Sequence, residues 1–208
     1  MPRISEKFKN DFINKGQSHI LQYNYQDRLI INMGYSYHYN SIGGAIINNT
    51  IASNSYSIRF NFESAGNIMY ALSKATNIRK NNDGEYAILG IPYAQYVKGE
   101  FDFSKNIRID HRNSFAFHIG MGIAVPYGNA KTIPFEKQYF SGGANSVRGW
   151  TVRDLGPGSF VRDENTNLLD QSGDIKLDAS IEYRSKLFWK FQGAIFVDAG
   201  NIWTIRDY

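Results

Sequence analysis

Apolar and polar residues alternate along most of this chain, in runs that are long for β-strands. From residue 17 onward there are about seven such runs. They occupy residues 21–26, 29–40, 57–63, 96–104, 115–125, 174–184 and 191–201. Strands of soluble proteins average roughly 5–6 residues, whereas strands that cross a membrane need about 9–11. Because most of these runs belong to the longer class, the pattern predicts an all-β chain of antiparallel, membrane-spanning strands.

The two faces of the predicted strands differ as the faces of a membrane barrel do. The polar faces carry charges, small residues and glycines, and the apolar faces carry large aliphatic and aromatic residues. Tyrosine and tryptophan cluster toward the strand ends, at Tyr37, Tyr39, Tyr127, Tyr183, Trp189 and Trp203. This is the aromatic girdle of a barrel in lipid. A soluble all-β binding domain remains the alternative, although soluble sheets rarely need such charged faces on long strands.

Three segments depart from the alternation. Residues 1–16 form a polar N-terminal segment, so the barrel domain is predicted to occupy residues 17–208. Residues 66–77 place apolar side chains at helical spacing, which predicts one short helix in a loop. The segment of about 135–173 is polar and rich in Gly, Pro, Asn and Asp, and it is too long for an idle connection in a compact fold.

Composition narrows the class of protein further. The chain has 208 residues, no cysteine and a formal net charge of only +4, so neither a disulfide scaffold nor a nucleic-acid partner is favoured. The polar start lacks the apolar core of a signal peptide. About seven strands do not close a bacterial barrel, which uses an even number, and an open edge in lipid leaves backbone groups unpaired. We therefore expect the chain to be part of a larger barrel.

Four sequence blocks, in order, resemble the C-terminal barrel of a known family. The blocks are SGGANSVRGW, LGPG, LDASIEYR and FVDAGNIW. Together they are similar to the outer-membrane assembly family that includes BamA and TamA, also described as the bacterial surface antigen family. The family signature is a VRGF or VRGY tetrapeptide in a long extracellular loop. The chain has Val147-Arg148-Gly149-Trp150 at this place, which departs in the last residue but keeps an aromatic ring.

The resemblance implies a fold, a location and partners. The family barrel has sixteen strands, an even number as bacterial barrels require, and lies in the bacterial outer membrane. Its role is to insert, assemble or translocate proteins there, without enzymatic activity. The implied partners are outer-membrane lipid, unfolded outer-membrane protein substrates and subunits of an assembly machinery. No metal, cofactor or nucleic acid is implied.

The resemblance also implies a site, because the family loop folds back into the lumen and its arginine pairs with acids on the next two strands. The matching residues here are Arg148, Glu182 and Asp198. Alternation gives the same contact, since both acids fall on the polar faces of neighbouring strands, and arginine has a donor fork for two carboxylates. We expect a loop latch whose members are Gly142, Gly143, Val147, Arg148, Gly149, Trp150, Glu182 and Asp198. The glycines are expected to allow the tight backbone path.

The sequence is also compatible with other functions. A two-partner secretion pore shares the arginine loop, and a patatin-like surface phospholipase carries the same type of barrel behind a hydrolase domain. The chain itself has no Gly-x-Ser-x-Gly, His-Glu-x-x-His or phosphate-binding motif, and its four histidines lack metal-ligand spacing. No catalytic residue is predicted.

Overall fold

The computed structural model describes residues 27–41, 54–158 and 171–205, and most of them belong to one antiparallel sheet. The strands are β1 (Asn32–Asn40), β2 (Asn54–Ala65), β3 (Ala87–Ile88), β4 (Ile91–Pro92), β5 (Tyr96–Arg108), β6 (Asn113–Pro126), β7 (Ile175–Lys186) and β8 (Gln192–Trp203). Six of them pair in the order β1-β2-β5-β6-β7-β8, and β3 and β4 form a separate hairpin. The helices are α1 (Asn67–Ala75) and a short 3-10 helix (Phe135–Lys137).

The predicted all-β fold with one short α-helix is confirmed. Six of the predicted alternating runs form the six long strands, which have between 9 and 14 residues. The run at 21–26, the segment 1–16 and most of the connection from β1 to β2 lie outside the described residues. Among the described residues, no helix is long and apolar enough to span a membrane.

The strand register keeps polar residues on one face of the sheet and apolar residues on the other. Glu100, for example, lies opposite Asn61 on β2 and Gly122 on β6. The apolar face is mostly exposed, as a surface that contacts lipid would be. The buried core is small and lies at one end of the sheet, where Tyr96, Ile133 and other side chains pack together.

The two ends of the sheet carry different kinds of connection. Residues 66–95 and 127–174 are long connections that leave from the same end. Residues 109–112 and 187–191 are short turns at the opposite end, from which the connection 41–53, mostly outside the described residues, also leaves. In bacterial outer-membrane barrels the short turns are periplasmic and the longer loops are extracellular. We refer to the two ends as the long-loop end and the short-turn end.

The β3–β4 hairpin is an element that the sequence pattern did not predict. Its two-residue turn is Leu89-Gly90, and both residues have positive φ, 53° and 80°. Hairpin turns of this kind usually contain Asn-Gly or Asp-Gly, because these residues tolerate the left-handed region. A leucine at the first position hides the signal, and its side chain is 99% exposed, so packing does not compensate for the backbone conformation.

Replacing Leu89 with asparagine should therefore stabilise this hairpin. The left-handed region is unfavourable for leucine by roughly 1–2 kcal/mol and more accessible to asparagine, and no packed side chain is lost. We expect a local gain of about 1 kcal/mol. Hydrogen exchange at the backbone amides of Ile88 and Ile91 should slow by about fivefold. Unchanged or faster exchange would contradict the assignment of strain to Leu89.

Candidate functional site

Arg148 reaches two acids on the polar face of the sheet. Its Nε and Nη2 atoms donate to the two oxygens of Asp198, each at 2.7 Å, and its backbone N–H also donates to Asp198 Oδ2 at 3.0 Å. Its Nη1 atom donates to Glu182 Oε2. One guanidinium thus binds Asp198 in a bidentate fashion and Glu182 through a further N–H, which is the strongest kind of charged hydrogen bonding available to arginine.

The two acids are held by β7 and β8, whose register brings them to one place. Asp198 lies opposite Ser180, and Glu182 lies opposite Phe196, so the acids are diagonal neighbours on the same face. The side chain of Asp198 is 4% exposed and that of Glu182 is 13% exposed, against 26% for Arg148. Two carboxylates at such low exposure need a cation, because water solvates them poorly there. We call Arg148, Glu182 and Asp198 the tip anchor.

Two further side chains contact the tip anchor. The guanidinium carbon of Arg148 lies 3.6 Å from the ring centroid of Phe196, a cation–π contact. The Nε atom of Arg184 donates to Glu182 Oε1, so Glu182 is shared by two arginines. Sequence reasoning missed both residues as part of the site. Phe196 gave a signal, because it is a large aromatic residue on the otherwise polar face of its strand.

The loop presents Arg148 from a tight turn. The backbone N–H of Trp150 donates to Val147 O at 3.2 Å, and that of Gly143 donates to Trp150 O at 2.8 Å. The Trp150 ring is about half exposed, so this residue acts here through its backbone. Gly142 has a φ of 97°, and a Cβ atom there would lie 2.1 Å from Thr151 O. This position of the turn therefore requires glycine.

The predicted glycines are not equivalent. Gly143 also has a positive φ, of 91°, and a Cβ there would come within 2.7 Å of Val152. Gly149 has no positive φ, and a Cβ at that position would meet nothing within 4 Å. The expectation that the glycines permit the backbone path therefore has a conformational basis at Gly142 and Gly143, where the turn bends, and none at Gly149.

A second group of contacts holds the beginning of the loop, and sequence reasoning missed it. Lys137 Nζ lies 2.8 Å from Glu63 Oε1 on β2. Lys98 Nζ on β5 donates to Lys137 O at 3.1 Å and lies 4.3 Å from the ring centroid of Tyr139. The Tyr139 hydroxyl donates to Gly99 O at 3.1 Å. We call Glu63, Lys98, Lys137 and Tyr139 the base anchor.

Glycines in the strands make room for both anchors. A Cβ atom at Gly122 on β6 would lie 2.5 Å from the Tyr139 ring. A Cβ atom at Gly200 on β8 would lie 3.0 Å from Val147 Cγ2 and 2.9 Å from Leu177 O. Both glycines lie on the polar face, so the loop occupies the space that their missing side chains leave. Val147 is buried as a result.

The loop returns along the far end of β8. The N–H of Gly158 donates to Ile202 O at 2.8 Å, and Asn201 Nδ2 donates to Gly158 O at 2.7 Å. Closer to β7, Tyr139 and Gly173 exchange two backbone hydrogen bonds, at 2.9 and 2.8 Å. The outgoing and returning parts of the loop are thus both fixed to the sheet, and the tip anchor lies between them.

The contacts of the site bind the loop to the sheet. Hydrogen bonds to Asp198 and then to Glu182 raise the pKa of Arg148 above its ordinary value, which already keeps an arginine charged. The acids accept from arginine and present no free nucleophile or general base. Within the described ranges, no group of three or more His, Cys, Asp or Glu residues is arranged to hold a metal ion.

Comparison with known proteins assigns the chain to a family. A family model described as the Omp85 superfamily domain matches residues 8–207. This chain belongs to the Omp85 superfamily. It is 35% identical over 97 residues to the outer membrane protein assembly factor BamA of Neisseria meningitidis serogroup B (strain ATCC BAA-335 / MC58). That match covers 42% of this chain and 11% of the relative.

A solved structure is also similar to this Omp85 chain. It is the crystal structure of BamA from Haemophilus ducreyi lacking POTRA domains 1-3, with a TM-score of 0.42 and 17% sequence identity. The match covers 84% of this chain and 42% of the solved chain. The Omp85 chain therefore spans less than half the length of each of these two relatives.

Family membership identifies the environment in which the sheet lies. The six long strands are part of an antiparallel transmembrane β-barrel in the bacterial outer membrane, as the alternation and the sequence blocks predicted. The apolar face of the sheet is accordingly its lipid-facing side, and the polar face lines the lumen. Both anchors of the Omp85 loop lie on the lumen side.

Proposed function

We propose that this Omp85 domain is part of a machine that assists the insertion, assembly or translocation of proteins at the outer membrane, and that its long loop is a latched element of the lumen. The observation that carries the proposal is the contact of Arg148 with Glu182 and Asp198. It supports a loop that is bound to the lumen wall at its tip.

The proposed role of the loop follows from the size of a larger barrel. A wide barrel leaves an aqueous channel unless something fills it. The loop spans the lumen face from β2, where Lys137 meets Glu63, to β8, where Arg148 meets Asp198. We propose that the loop fills the lumen. It would also hold β7 and β8 in position relative to β2 and β5, to which its base is anchored. The latch would include Gly142, Gly143, Val147, Gly149 and Trp150 as its backbone.

The proposed activity needs no catalytic site and no nucleotide. An unfolded outer-membrane protein lowers its free energy when its strands pair in lipid, because every unpaired backbone group in the membrane costs several kcal/mol. A scaffold that offers a defined barrel wall can lower the barrier to this process without chemistry. The partners we propose are outer-membrane lipid, unfolded outer-membrane proteins and subunits of an assembly machinery.

Depletion of the full-length protein from its own cells tests this function. If the protein serves assembly in general, many different barrel proteins should decrease in the outer membrane, and their unfolded forms should accumulate in the periplasm. Quantitative mass spectrometry of outer-membrane and periplasmic fractions measures both. Loss of one secreted partner alone would instead indicate a two-partner secretion pore. Loss of a phospholipase activity alone would indicate the barrel of a surface hydrolase. Either result would overturn the assembly proposal.

A further inference from the structure

Helix α1 presents four of its apolar side chains away from the protein, whereas Met69 and Tyr70 are half-buried. Ile68 and Leu72, one turn apart, are 51% and 50% exposed. Ala71 and Ala75 on the same side are exposed as well. The opposite side holds Ser73, which is completely buried. Helices that pack on a protein core turn their apolar side toward it, so these four outward-facing apolar side chains are not used for packing on the core. We call Ile68, Ala71, Leu72 and Ala75 the apolar stripe.

The helix begins on the lipid-facing side of the barrel wall. Asn67 Nδ2 donates to Ser64 Oγ at 2.8 Å. Asn67 Oδ1 accepts from Gln95 Nε2 at 3.0 Å and from the Tyr127 hydroxyl at 2.7 Å. Ser64 is opposite Val97 on the lipid-facing side. Gln95 and Tyr127 lie directly beyond the ends of β5 and β6, where the Tyr127 N–H donates to Gln95 O at 3.1 Å. The helix therefore starts outside the lumen, at the long-loop end of the strands.

The segment that contains the helix is cationic. Lys74, Arg79 and Lys80 are exposed, and no acidic residue lies within α1 or between it and Lys80. None of the three cations forms an ion pair within the part of the chain that the structure describes. Lys74 Nζ lies 4.9 Å from the ring of Tyr70, and Lys80 Nζ lies 5.1 Å from the ring of Tyr86. Tyrosine rings and long lysine side chains are each favoured at the membrane–water interface.

From these three observations we propose that α1 and the following residues to Lys80 form a membrane-surface element that binds phosphorylated lipid of the outer leaflet. The apolar stripe enters the boundary between headgroups and acyl chains, and the cations bind headgroup phosphates. The long-loop end is the extracellular end of an outer-membrane barrel, which selects the outer leaflet. This inference rests on the barrel assignment and not on the proposed role in assembly.

Depth measurements with single cysteines test the proposal. This chain contains no cysteine of its own, and any cysteine elsewhere in the full-length protein is first replaced with serine. Ile68→Cys and Leu72→Cys in the full-length protein are each labelled with an environment-sensitive fluorophore, in vesicles that contain lipid A. Asn82→Cys is the matched control, since Asn82 is exposed in the same extracellular connection. Nitroxide-labelled lipid and aqueous iodide are the two quenchers. Gel mobility with and without heating confirms that each variant is folded, and Ala71→Cys replaces any variant that is not.

Labels on the stripe should be quenched by the lipid probe and shielded from iodide, and the label at position 82 should behave in the opposite way. In vesicles with lipid A, the double variant Arg79→Gln, Lys80→Gln should lower the ratio of membrane-buried to water-exposed label on the stripe by at least about fivefold. The reason is that each cation contributes about that factor to binding at an anionic surface. In vesicles of zwitterionic phospholipid alone the double variant should have no effect. Iodide quenching at positions 68 and 72 would overturn the proposal. Shielding from both quenchers would also overturn it, because it would mean that another part of the protein covers the stripe.

Discussion

Replacing Arg148 with alanine should release the tip of the loop from the lumen wall while the barrel strands stay folded. The change leaves Asp198 and Glu182 close together, nearly buried and without the cation that both of them contact. Removing one partner of a buried ion pair is unfavourable by about 3–5 kcal/mol. Because Arg148 itself is 26% exposed, we expect the lower end, about 3 kcal/mol.

Limited proteolysis measures the release of the tip. When a protease cleaves only the open form, the cleavage rate follows the population of that form, so about 3 kcal/mol gives roughly 100-fold faster cleavage. A protease of broad specificity is needed, with mass spectrometry to count only the cuts between Ser146 and Thr151. Arg148→Lys should fall between wild type and alanine, because one ammonium cannot reproduce the bidentate contact.

A second arginine in the same loop is the matched control. Arg153 lies over the rings of Phe135 and Phe140, at 4.6 and 4.9 Å, and forms no ion pair within the described residues. Arg153→Ala should change the cleavage by no more than a few fold, since an exposed cation–π contact contributes about 0.5–1 kcal/mol. If Arg148→Ala were as resistant as wild type, or no more sensitive than Arg153→Ala, the tip anchor would not hold the loop.

Alternation along the strands predicted the sheet well, because the face on which a side chain lies follows from its position within its own strand. Side chains at even spacing share a face whatever the connections do, so Glu182 and Asp198 were assigned to polar faces from the sequence alone. The register then needed only the pairing of β7 with β8, which follow each other in the chain. The long strands and the polar lumen side were predictable for the same reason.

The path of the loop follows no such repeating pattern. Lys137 meets Glu63 across 74 positions of sequence, and neither residue belongs to a pattern that indicates the other. The orientation of α1 was equally hidden, because helical spacing gives the position of an apolar stripe but not what it faces. Gly122, in contrast, gave a signal in the sequence. A glycine inside a long strand often marks a place where other atoms approach closely.

The second large effect is expected from Gly122→Ala, which should detach the base of the loop. A methyl group at this position would overlap the Tyr139 ring, because its carbon would lie only 2.5–2.8 Å from the nearest atoms of that side chain. The ring cannot shift without losing its hydroxyl bond to Gly99 O and its contact with Lys98. Overpacking of this kind costs about 1–3 kcal/mol. The midpoint of unfolding in urea, read from heat-modifiable gel mobility, should fall accordingly.

Gly99→Ala separates this steric effect from the general effect of a strand glycine. Gly99 lies opposite Ile123 on the lipid-facing side, and a Cβ there would meet nothing within 4 Å. Alanine should therefore stabilise this position by about 0.5–1 kcal/mol, because glycine inside a strand is entropically unfavourable. The two substitutions are chemically identical and should have opposite signs. In a Tyr139→Ala background the Gly122→Ala cost should disappear, since the two residues are in contact. Equal effects at both glycines, or an unchanged cost without the ring, would show that Tyr139 does not occupy the space above Gly122.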